Sequence, residues 1–273
     1  MAAESFRRPL VFVAHPDDET LACGGLLQRM PASLVVFATD GTPAGFGLER
    51  KYGSLKTYTE LRFQEASRAL RHVPSASVGW LTRADGSYFG DMHVFEELPE
   101  AAASLRAIAE SFSPDAIVSH TYEGGHIDHD ACSFLAMHVA KVLSLRRFEF
   151  PMYWADESGQ AVLQVFRDVK PGAAGEVMEW QLSEAEIECK KNMMAEYHTQ
   201  KGTVATFAPG VERFRFATSD QLSFTIPQCR DYLYQNRPPK FYHTHRHRLS
   251  AKALLRKFAE FEKWRQRREE WRR

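Results

Sequence analysis

Short apolar runs alternate with helical patterns through the first half of the chain, and this alternation limits the fold more than any other feature. Residues 10–14, 34–38 and 116–120 form such runs, which are typical of strands buried on both faces of a parallel sheet. Each run precedes a stretch whose apolar residues have helical spacing. We therefore predict an α/β, Rossmann-like fold with a mainly parallel sheet, helices on both faces and a less regular C-terminal portion.

The remaining elements follow from the same patterns. Helices are predicted over 17–30, 57–72, 99–112, 126–145 and 183–198, and strands over 78–81, 148–153, 161–169 and 177–182. The last two strands are expected to pair with each other. Residues 44–56 contain glycines without helical periodicity, so a mobile loop is predicted there.

The length of the chain allows one large domain. Its 273 residues can bury a substantial core, and no Pro- or Gly-rich linker divides them cleanly. We predict a catalytic core over 1–155 and a C-terminal part of the same domain over 156–250, which supplies strands and a helix on the substrate side. A basic amphipathic helix is predicted over 251–273.

Charge balance and cysteine usage exclude several classes of protein. The formal net charge is +0, which does not favour a protein that binds nucleic acid or anionic membranes as a whole. No apolar stretch reaches the roughly 18 residues of a membrane span, and no signal-peptide pattern opens the chain. The 4 cysteines are far apart, form no C-x-x-C pair and are predicted to be reduced thiols. We therefore expect a cytoplasmic protein.

One imidazole and three carboxylates stand where the first strand ends, in the segment His15-Pro16-Asp17-Asp18-Glu19. Neutral imidazole and carboxylate are ligands that Zn²⁺ and related divalent ions accept. His15 and Asp18 are three residues apart at the start of a helix, so both can face one point. Asp17 lies between them and is free for proton transfer, while Glu19 is expected to support the helix start. The segment predicts half of a metal site.

A second segment of similar design follows the strand that ends at His120. Gly124 and Gly125 allow a sharp turn, and His126 and His129 then share one face at the start of the next helix. Because the carboxyl ends of parallel strands meet at one edge of a sheet, the two segments are expected to complete one site. A metal ion there can activate water to attack an amide, with a carboxylate and an imidazole assisting.

These segments resemble a known family. Residues 14–19 read A-H-P-D-D-E, the signature of the LmbE-like, or PIG-L-type, zinc-dependent de-N-acetylases. Residues 123–129 resemble that family's H-P-D-H segment, with Ile127 where proline is usual. Further segments are similar to family landmarks, namely 39–41, 62–65 and 85–86. The resemblance covers roughly residues 8 to 145 and is loose elsewhere.

The resemblance implies a set of roles for individual residues. His15, Asp18 and His129 would bind zinc, with Fe²⁺ as the alternative ion, and water would complete the coordination sphere. Asp17 would act as general base, and His126 would stabilise the oxyanion or protonate the departing amine.

Three further residues are assigned through the same resemblance. Asp128 would hold a histidine in one tautomer. Arg62 and Asp85 would contact hydroxyl groups of the substrate. That substrate would be a small amino-sugar conjugate of the GlcNAc type, deacetylated at its nitrogen, while the aglycone and the oligomeric state, including a homo-oligomer, stay open.

Three other classes of protein are alternatives to this interpretation. A nucleotide-binding Rossmann protein would carry G-x-G-x-x-G after the first strand, and a serine hydrolase would carry G-x-S-x-G; neither occurs. A catalytically idle sugar-binding or scaffold protein of the same fold is the remaining alternative. It would need no general base such as Asp17, so we favour the enzyme.

The C-terminal region contains a histidine-rich segment and a basic helical pattern. His243, His245 and His247 would share one side of a strand, but we favour a polar, solvated segment over a second metal site. The helix predicted over 251–273 has an apolar stripe among many Lys and Arg residues. We expect it to dock on its own domain or on another subunit; attachment to an anionic membrane or nucleic acid is the alternative.

Overall fold

The computed structural model describes residues 7–44, 46–167, 175–217 and 250–271. Its strands are β1 (Pro9–Val13), β2 (Ser33–Phe37), β3 (Ala76–Trp80), β4 (Ala116–His120), β5 (Arg146–Phe150), β6 (Tyr153–Ala155), β7 (Ala161–Leu163), β8 (Val177–Gln181) and β9 (Val211–Ala217). Its helices are α1 (Asp18–Arg29), α2 (Leu48–Tyr52), α3 (Leu55–Leu70), α4 (Leu98–Phe112), α5 (Ile127–Leu143), α6 (Glu184–Ala195), α7 (Lys201–Val204) and α8 (Ala251–Gln266).

Seven of the described strands form one sheet in the order β3-β2-β1-β4-β5-β9-β8. The first five are parallel to one another, whereas β9 is antiparallel to both β5 and β8. The predicted α/β fold with a mainly parallel sheet is therefore confirmed. The chain leaves β1 toward one edge of the sheet and returns at β4 on the other side, so the strand order reverses between these two strands.

Helices cover both faces of the sheet, which explains the continuous apolar sequence of β1. Leu10 and Phe12 face a core shared with α4, α5 and α8. Val11 and Val13 face a second core shared with α1, α3 and α6. Because alternate side chains of a strand point to opposite faces, a strand covered on both faces needs apolar residues at every position.

The terminal helix α8 packs on α4 and α5. Leu254, Phe258 and Phe261 are buried there, and the ring of Phe258 stacks on that of Phe134 with centroids 3.9 Å apart. The expectation that this helix docks on its own domain is confirmed. The segment with His243, His245 and His247 lies outside the described residues.

The predicted mobile loop over 44–56 is wrong, because most of it is helical. Gly47 and Gly53 have φ of 69° and 88° and flank α2, so their conformational freedom starts and ends a short helix. Ser54 Oγ then accepts a hydrogen bond of 3.0 Å from the N–H of Thr57, which caps α3. Gly47 and Gly53 therefore mark the two ends of a helix and not a mobile loop.

Two strand predictions need correction. The strand predicted over 148–153 is divided into β5 and β6 around Pro151, which has no N–H to donate to a ladder. The strands predicted to pair with each other do not: β7 pairs with β6 and β8 pairs with β9. A tight turn at Asp156–Gly159 joins β6 directly to β7, so sequence neighbours pair there.

Three of the cysteines lie among the described residues. Cys23, Cys132 and Cys189 are free thiols, and Cys229 lies outside the described residues. Within the described ranges, no helix combines the length and the apolar character that crossing a bilayer requires.

A buried ion pair ties α1 to the C-terminal half of the chain. Lys190 Nζ on α6 lies 2.6 Å from Glu212 Oε1 on β9, and both side chains are fully buried. The same carboxylate accepts hydrogen bonds from the N–H groups of Gly25 and Leu26 in α1. The pair therefore fixes the helix whose first turn carries Asp18.

Replacing Lys190 by Met should lower the free energy of unfolding by about 3–5 kcal/mol, because the Glu212 carboxylate would stay buried without its counter-ion. The neighbouring exposed Lys191 offers a matched control, and Lys191→Met should change the free energy by no more than about 0.5 kcal/mol. Urea unfolding measures both. Equal midpoints for the two variants would show that the buried pair does not stabilise the fold.

Candidate metal-dependent active site

The two predicted segments meet at the reversal of strand order between β1 and β4. His15 follows β1, and His120 is the last residue of β4. The backbone N–H of Ala14 donates a hydrogen bond of 3.0 Å to His120 Nε2, which joins the two strand ends directly. In open α/β sheets, ligands bind at this kind of crevice.

The backbone is strained at Asp17, which lies between two of the predicted ligands in the chain. Its φ of 130° and ψ of −33° lie in a region that L-residues rarely adopt. The surroundings hold it there: its N–H donates to the buried carboxylate of Glu19 at 3.0 Å, and Glu19 also accepts from the hydroxyl of Tyr197. Glu19 thus supports the helix start and holds the strained backbone of Asp17 in place.

The three residues predicted to bind metal lie side by side. Asp18 Oδ2 is 3.4 Å from His15 Nδ1 and 3.4 Å from His129 Nε2. A tetrahedral zinc ion with bonds of about 2.0–2.1 Å needs ligand atoms about 3.3–3.4 Å apart, and these two distances match that spacing. We call His15, Asp18 and His129 the donor set. The described groups whose ligand atoms all lie within 4.8 Å of one another join its members to neighbours: His15, His126 and His129; Asp18, His120 and His129; and His15, Asp91 and Asp128. Burial opposes ionisation of Asp18, but His129 and His120 outweigh it and hold the pKa of Asp18 well below its usual value. The carboxylate is ready to bind a cation.

Two further carboxylates fix the orientation of His15. Its Nε2 lies 3.1 Å from Asp91 Oδ1 and 3.4 Å from Asp128 Oδ2. Burial opposes the charge of His15, but Asp91, Asp128 and Asp18 outweigh it and hold the pKa of His15 well above its usual value. A cation would displace the Nδ1 proton that faces Asp18, while the two carboxylates keep the proton on Nε2, as metal-binding histidines commonly show. Burial favours the neutral form of Asp91, but the charge of His15 lowers the pKa of Asp91 to about 2. The resemblance assigned Asp128 the role of holding a histidine in one tautomer, and that role stays a prediction; Asp91 was not predicted.

Replacing Asp91 by Asn should weaken zinc binding by about 10- to 100-fold, because His15 would lose the partner that orients its ring. Competition with a fluorescent chelator measures this affinity. Asp115, at the opposite end of the sheet, accepts hydrogen bonds from the backbone of residues 7 and 8, so Asp115→Asn serves as the control and should leave the affinity unchanged. An Asp91→Asn protein that binds zinc like the original would contradict the orienting role.

His120 lies against the donor set but differs from it. Its Nε2 is 3.4 Å from Asp18 Oδ2, and its ring stacks on that of His129 with centroids 4.0 Å apart. However, Nε2 already accepts the N–H of Ala14, so its lone pair is engaged. Burial, assisted by the charge of His129, lowers the pKa of His120 to about 3 and keeps it neutral. The sequence places His120 at the end of a predicted strand and predicts no role for it.

His126 stands at the edge of the donor set. Its ring is edge-on to that of His15 with centroids 4.6 Å apart, and ligand atoms of His15, His126 and His129 lie within 4.8 Å of one another. Its Nδ1 accepts a hydrogen bond of 3.2 Å from the N–H of Asp128, so the proton of the neutral ring sits on Nε2. Burial lowers the pKa of His126 well below its usual value. It is therefore a neutral hydrogen-bond donor.

Arg62 is tied to Asp17. The guanidinium is buried, donates to the carbonyl of Pro16 and lies 3.2 Å from Asp17 Oδ2. Burial raises the pKa of Asp17 to about 7, although Arg62 opposes this shift. A carboxyl with such a pKa exchanges a proton readily near neutral pH.

The structure does not bring Asp85 to this site. It is exposed in a turn, where its carboxylate accepts hydrogen bonds from the N–H and hydroxyl of Ser87. The acidic residue of this region that does line the site is Asp91.

The site opens into a cavity of about 470 Å³ with two unlike sides. What we call the polar side carries residues from strand ends, from α3 and from nearby loops: His15, Asp17, Asp18, Gly41, Pro43, Arg62, Asp91, His126 and His129. The other side is formed by Leu21 and residues of the C-terminal half: Met152, Tyr153, Ala161, Leu163, Gln200, Gly202, Thr203, Thr206 and Phe207. A small ligand at the donor set would touch both sides.

Fold and site together define an α/β protein with a histidine–aspartate metal-binding cluster at the switch point of its sheet. The family model described as PIG-L: GlcNAc-PI de-N-acetylase matches residues 10–140. Residues 10–140 of the chain are therefore similar to the PIG-L (LmbE-like) family, and the resemblance drawn from the sequence motifs is confirmed. No match is found among curated protein sequences.

Solved structures share the fold. The zinc-inhibited form of teicoplanin deacetylase Orf2 is 16% identical with a TM-score of 0.57, covering 78% of this chain and 100% of its own. The A40926 pseudoaglycone deacetylase Dbv21 is 16% identical with a TM-score of 0.53, covering 77% and 96%. A conserved protein from Thermus thermophilus, TT1542, is 20% identical with a TM-score of 0.50, covering 79% and 96%.

Proposed function

We propose that this protein is a zinc-dependent hydrolase that removes the acetyl group from the nitrogen of a GlcNAc-type amino sugar or its conjugate. The observation that carries the proposal is the donor set around Asp18 Oδ2, at 3.4 Å from both His15 and His129, directly beside the buried carboxyl of Asp17. The description of the matching family supports the reaction, and two structural neighbours are named as deacetylases.

His15, Asp18 and His129 are the residues that would hold the metal ion. Two imidazoles and one carboxylate favour Zn²⁺, with Fe²⁺ as the alternative, over the oxygen-seeking Mg²⁺ and Ca²⁺. The bound ion supplies water activation near neutral pH and polarises the amide carbonyl.

The protein's own side chains then move protons and orient the substrate. Asp17, held by Arg62, takes one proton from the attacking water and passes it to the amide nitrogen. His126 Nε2–H donates a hydrogen bond to the carbonyl oxygen as negative charge develops on it. A C–O bond forms, the C–N bond breaks, and the products are acetate and the free amino sugar.

A catalytically idle sugar-binding protein of the same fold is the competing hypothesis. Two observations favour the enzyme: the strained backbone at Asp17, and its carboxyl with a pKa raised by burial to about 7. A binding protein would gain nothing from either. We propose further that residues 1–155 supply the reacting groups and that 156–250 add substrate-side residues to the cavity, such as Leu163 and Phe207.

Acetate release from N-acetylglucosamine and its methyl glycoside, measured together with bound metal, tests the proposal. The enzyme hypothesis predicts acetate and primary amine in equal amounts, produced by protein that holds one metal ion. The idle-protein hypothesis predicts bound sugar without acetate. We propose a cytoplasmic location as well, which the free thiols of Cys23, Cys132 and Cys189 support.

A further inference from the structure

Five apolar side chains of one hydrophobic cluster line the cavity, and we call them the apolar wall: Leu21, Met152, Tyr153, Leu163 and Phe207. The polar side chains Gln200, Thr203 and Thr206 line the cavity as well. This wall is continuous with the metal-binding cluster, since the ring of Tyr153 lies edge-on to that of His129 with centroids 5.2 Å apart. A sugar ring carrying the reacting amide would have the polar side on one flank and this wall on the other.

Two side chains hold the wall in place. Glu123, in the loop before His126, accepts hydrogen bonds of 2.8 Å from the backbone N–H groups of Met152 and Tyr153. Gln164, at the end of β7, makes a pair of hydrogen bonds with the backbone of Ala208, at 3.0 and 2.9 Å. The first links the wall to the catalytic loop, and the second links β7 to the segment that carries Phe207. The wall is therefore formed before any ligand binds.

The charges around the cavity favour an uncharged ligand group. Among the described residues that line it, Arg62 is the only lysine or arginine. Its two terminal nitrogens are engaged by Pro16, Asp17, Glu65 and Thr199. A phosphate beside the sugar would therefore meet carboxylates and apolar side chains in this part of the chain, whereas an apolar group would bury surface against the wall.

We propose that the apolar wall binds an uncharged, apolar substituent of the amino sugar. Such a substituent is either the aglycone at the anomeric carbon or an acyl chain longer than acetyl on the nitrogen. This inference rests on the proposed function, and it deepens that function by naming the substrate class.

Initial rates on matched substrates distinguish the two sources. The hexyl and methyl glycosides of N-acetylglucosamine differ only in the aglycone, and N-hexanoyl- and N-acetylglucosamine differ only in the acyl chain. For one of the two pairs, kcat/KM for the longer member should exceed that for the shorter by about tenfold or more. The pair that shows the gain identifies the substituent that faces the wall. Ratios near one for both pairs, or a preference for a phosphorylated glycoside, would overturn the inference.

Wall variants assign the preference to these side chains. Leu163→Asn, of nearly equal size, should lower the ratio toward one, and Thr206→Val, which adds apolar surface at an exposed lining position, should raise it. Val165 is exposed and does not line the cavity, so Val165→Asn should leave the ratio as it is. If Val165→Asn changes the ratio as much as Leu163→Asn, the wall is not responsible.

Calorimetric titration of the zinc-loaded protein with the same four compounds measures their affinities. It therefore tests the apolar subsite independently of the deacetylase activity. Absence of acetate from every substrate would refute the deacetylase activity. Even then, at least tenfold tighter binding of a longer compound than of its short partner would support the wall as an apolar subsite. Equal affinities within both pairs would refute the inference, whatever the activity.

Discussion

Replacing Asp17 by Asn is expected to lower kcat for acetate release by about 10²- to 10⁴-fold while the protein keeps its metal ion. The substitution removes a carboxyl that lies beside the donor set but takes part in neither of the 3.4 Å contacts within it. Burial raises the pKa of this carboxyl to about 7. Asn has the same shape and can still accept from Arg62, but it cannot take a proton from water. Metal analysis and acetate release on the same sample measure both effects.

The control for this prediction is Asp156→Asn, the same chemical change at an exposed turn outside the cavity. Its kcat and metal content should equal those of the original protein. Near-original turnover by Asp17→Asn on a genuine substrate would remove Asp17 from the role of general base. Loss of the metal from Asp17→Asn would show instead that Asp17 is a ligand.

Replacing His15 by Ala is expected to abolish stoichiometric metal binding and, with it, activity. The substitution removes the Nδ1 atom that lies 3.4 Å from Asp18 Oδ2 and leaves Asp91 and Asp128 without the imidazole between them. Losing only a residue that orients a ligand costs about 10- to 100-fold in metal affinity, so losing the ligand itself should cost more. Equilibrium dialysis against buffered zinc gives the affinity.

His72→Ala provides the comparison, since His72 is a partly exposed imidazole at the end of α3, far from the donor set. It should bind one zinc ion with the original affinity. If His15→Ala also retained one tightly bound ion, the ligand set would have to be the alternative group of Asp18, His120 and His129, whose ligand atoms also lie within 4.8 Å of one another.

The elements that carry the polar half of the site could be predicted from local sequence. Predicted and observed bounds of β1, α1, β4 and α5 agree to within about two residues, because each strand is a short apolar run and each helix opens on proline, acid or glycine signals. The proximity of the residues proposed as ligands could be predicted too, since they follow strands whose ends must meet at one edge of a parallel sheet.

Residues supplied by distant segments could not be predicted in the same way. Asp91 orients His15 from a loop with no motif, and only the packing of that loop reveals its partner. The contact of His120 with the site could not be predicted, because its hydrogen bond with the N–H of Ala14 depends on the register of β1 and β4. The pairing of the C-terminal strands was predicted wrongly, because alternation of apolar and polar residues predicts a strand but not the strand with which it pairs. Asp85 has a family-like position in the chain but is exposed to solvent.

The most direct test of a metal-dependent amidase is acetate release from methyl N-acetylglucosaminide before chelation, after chelation and after return of one equivalent of zinc. A protein that hydrolyses the amide at the donor set of His15, Asp18 and His129 should lose activity with the metal and regain it at one ion per chain, with acetate and amine in equal amounts. Unchanged acetate release by the metal-free protein, or none by the protein with one zinc bound, would contradict it.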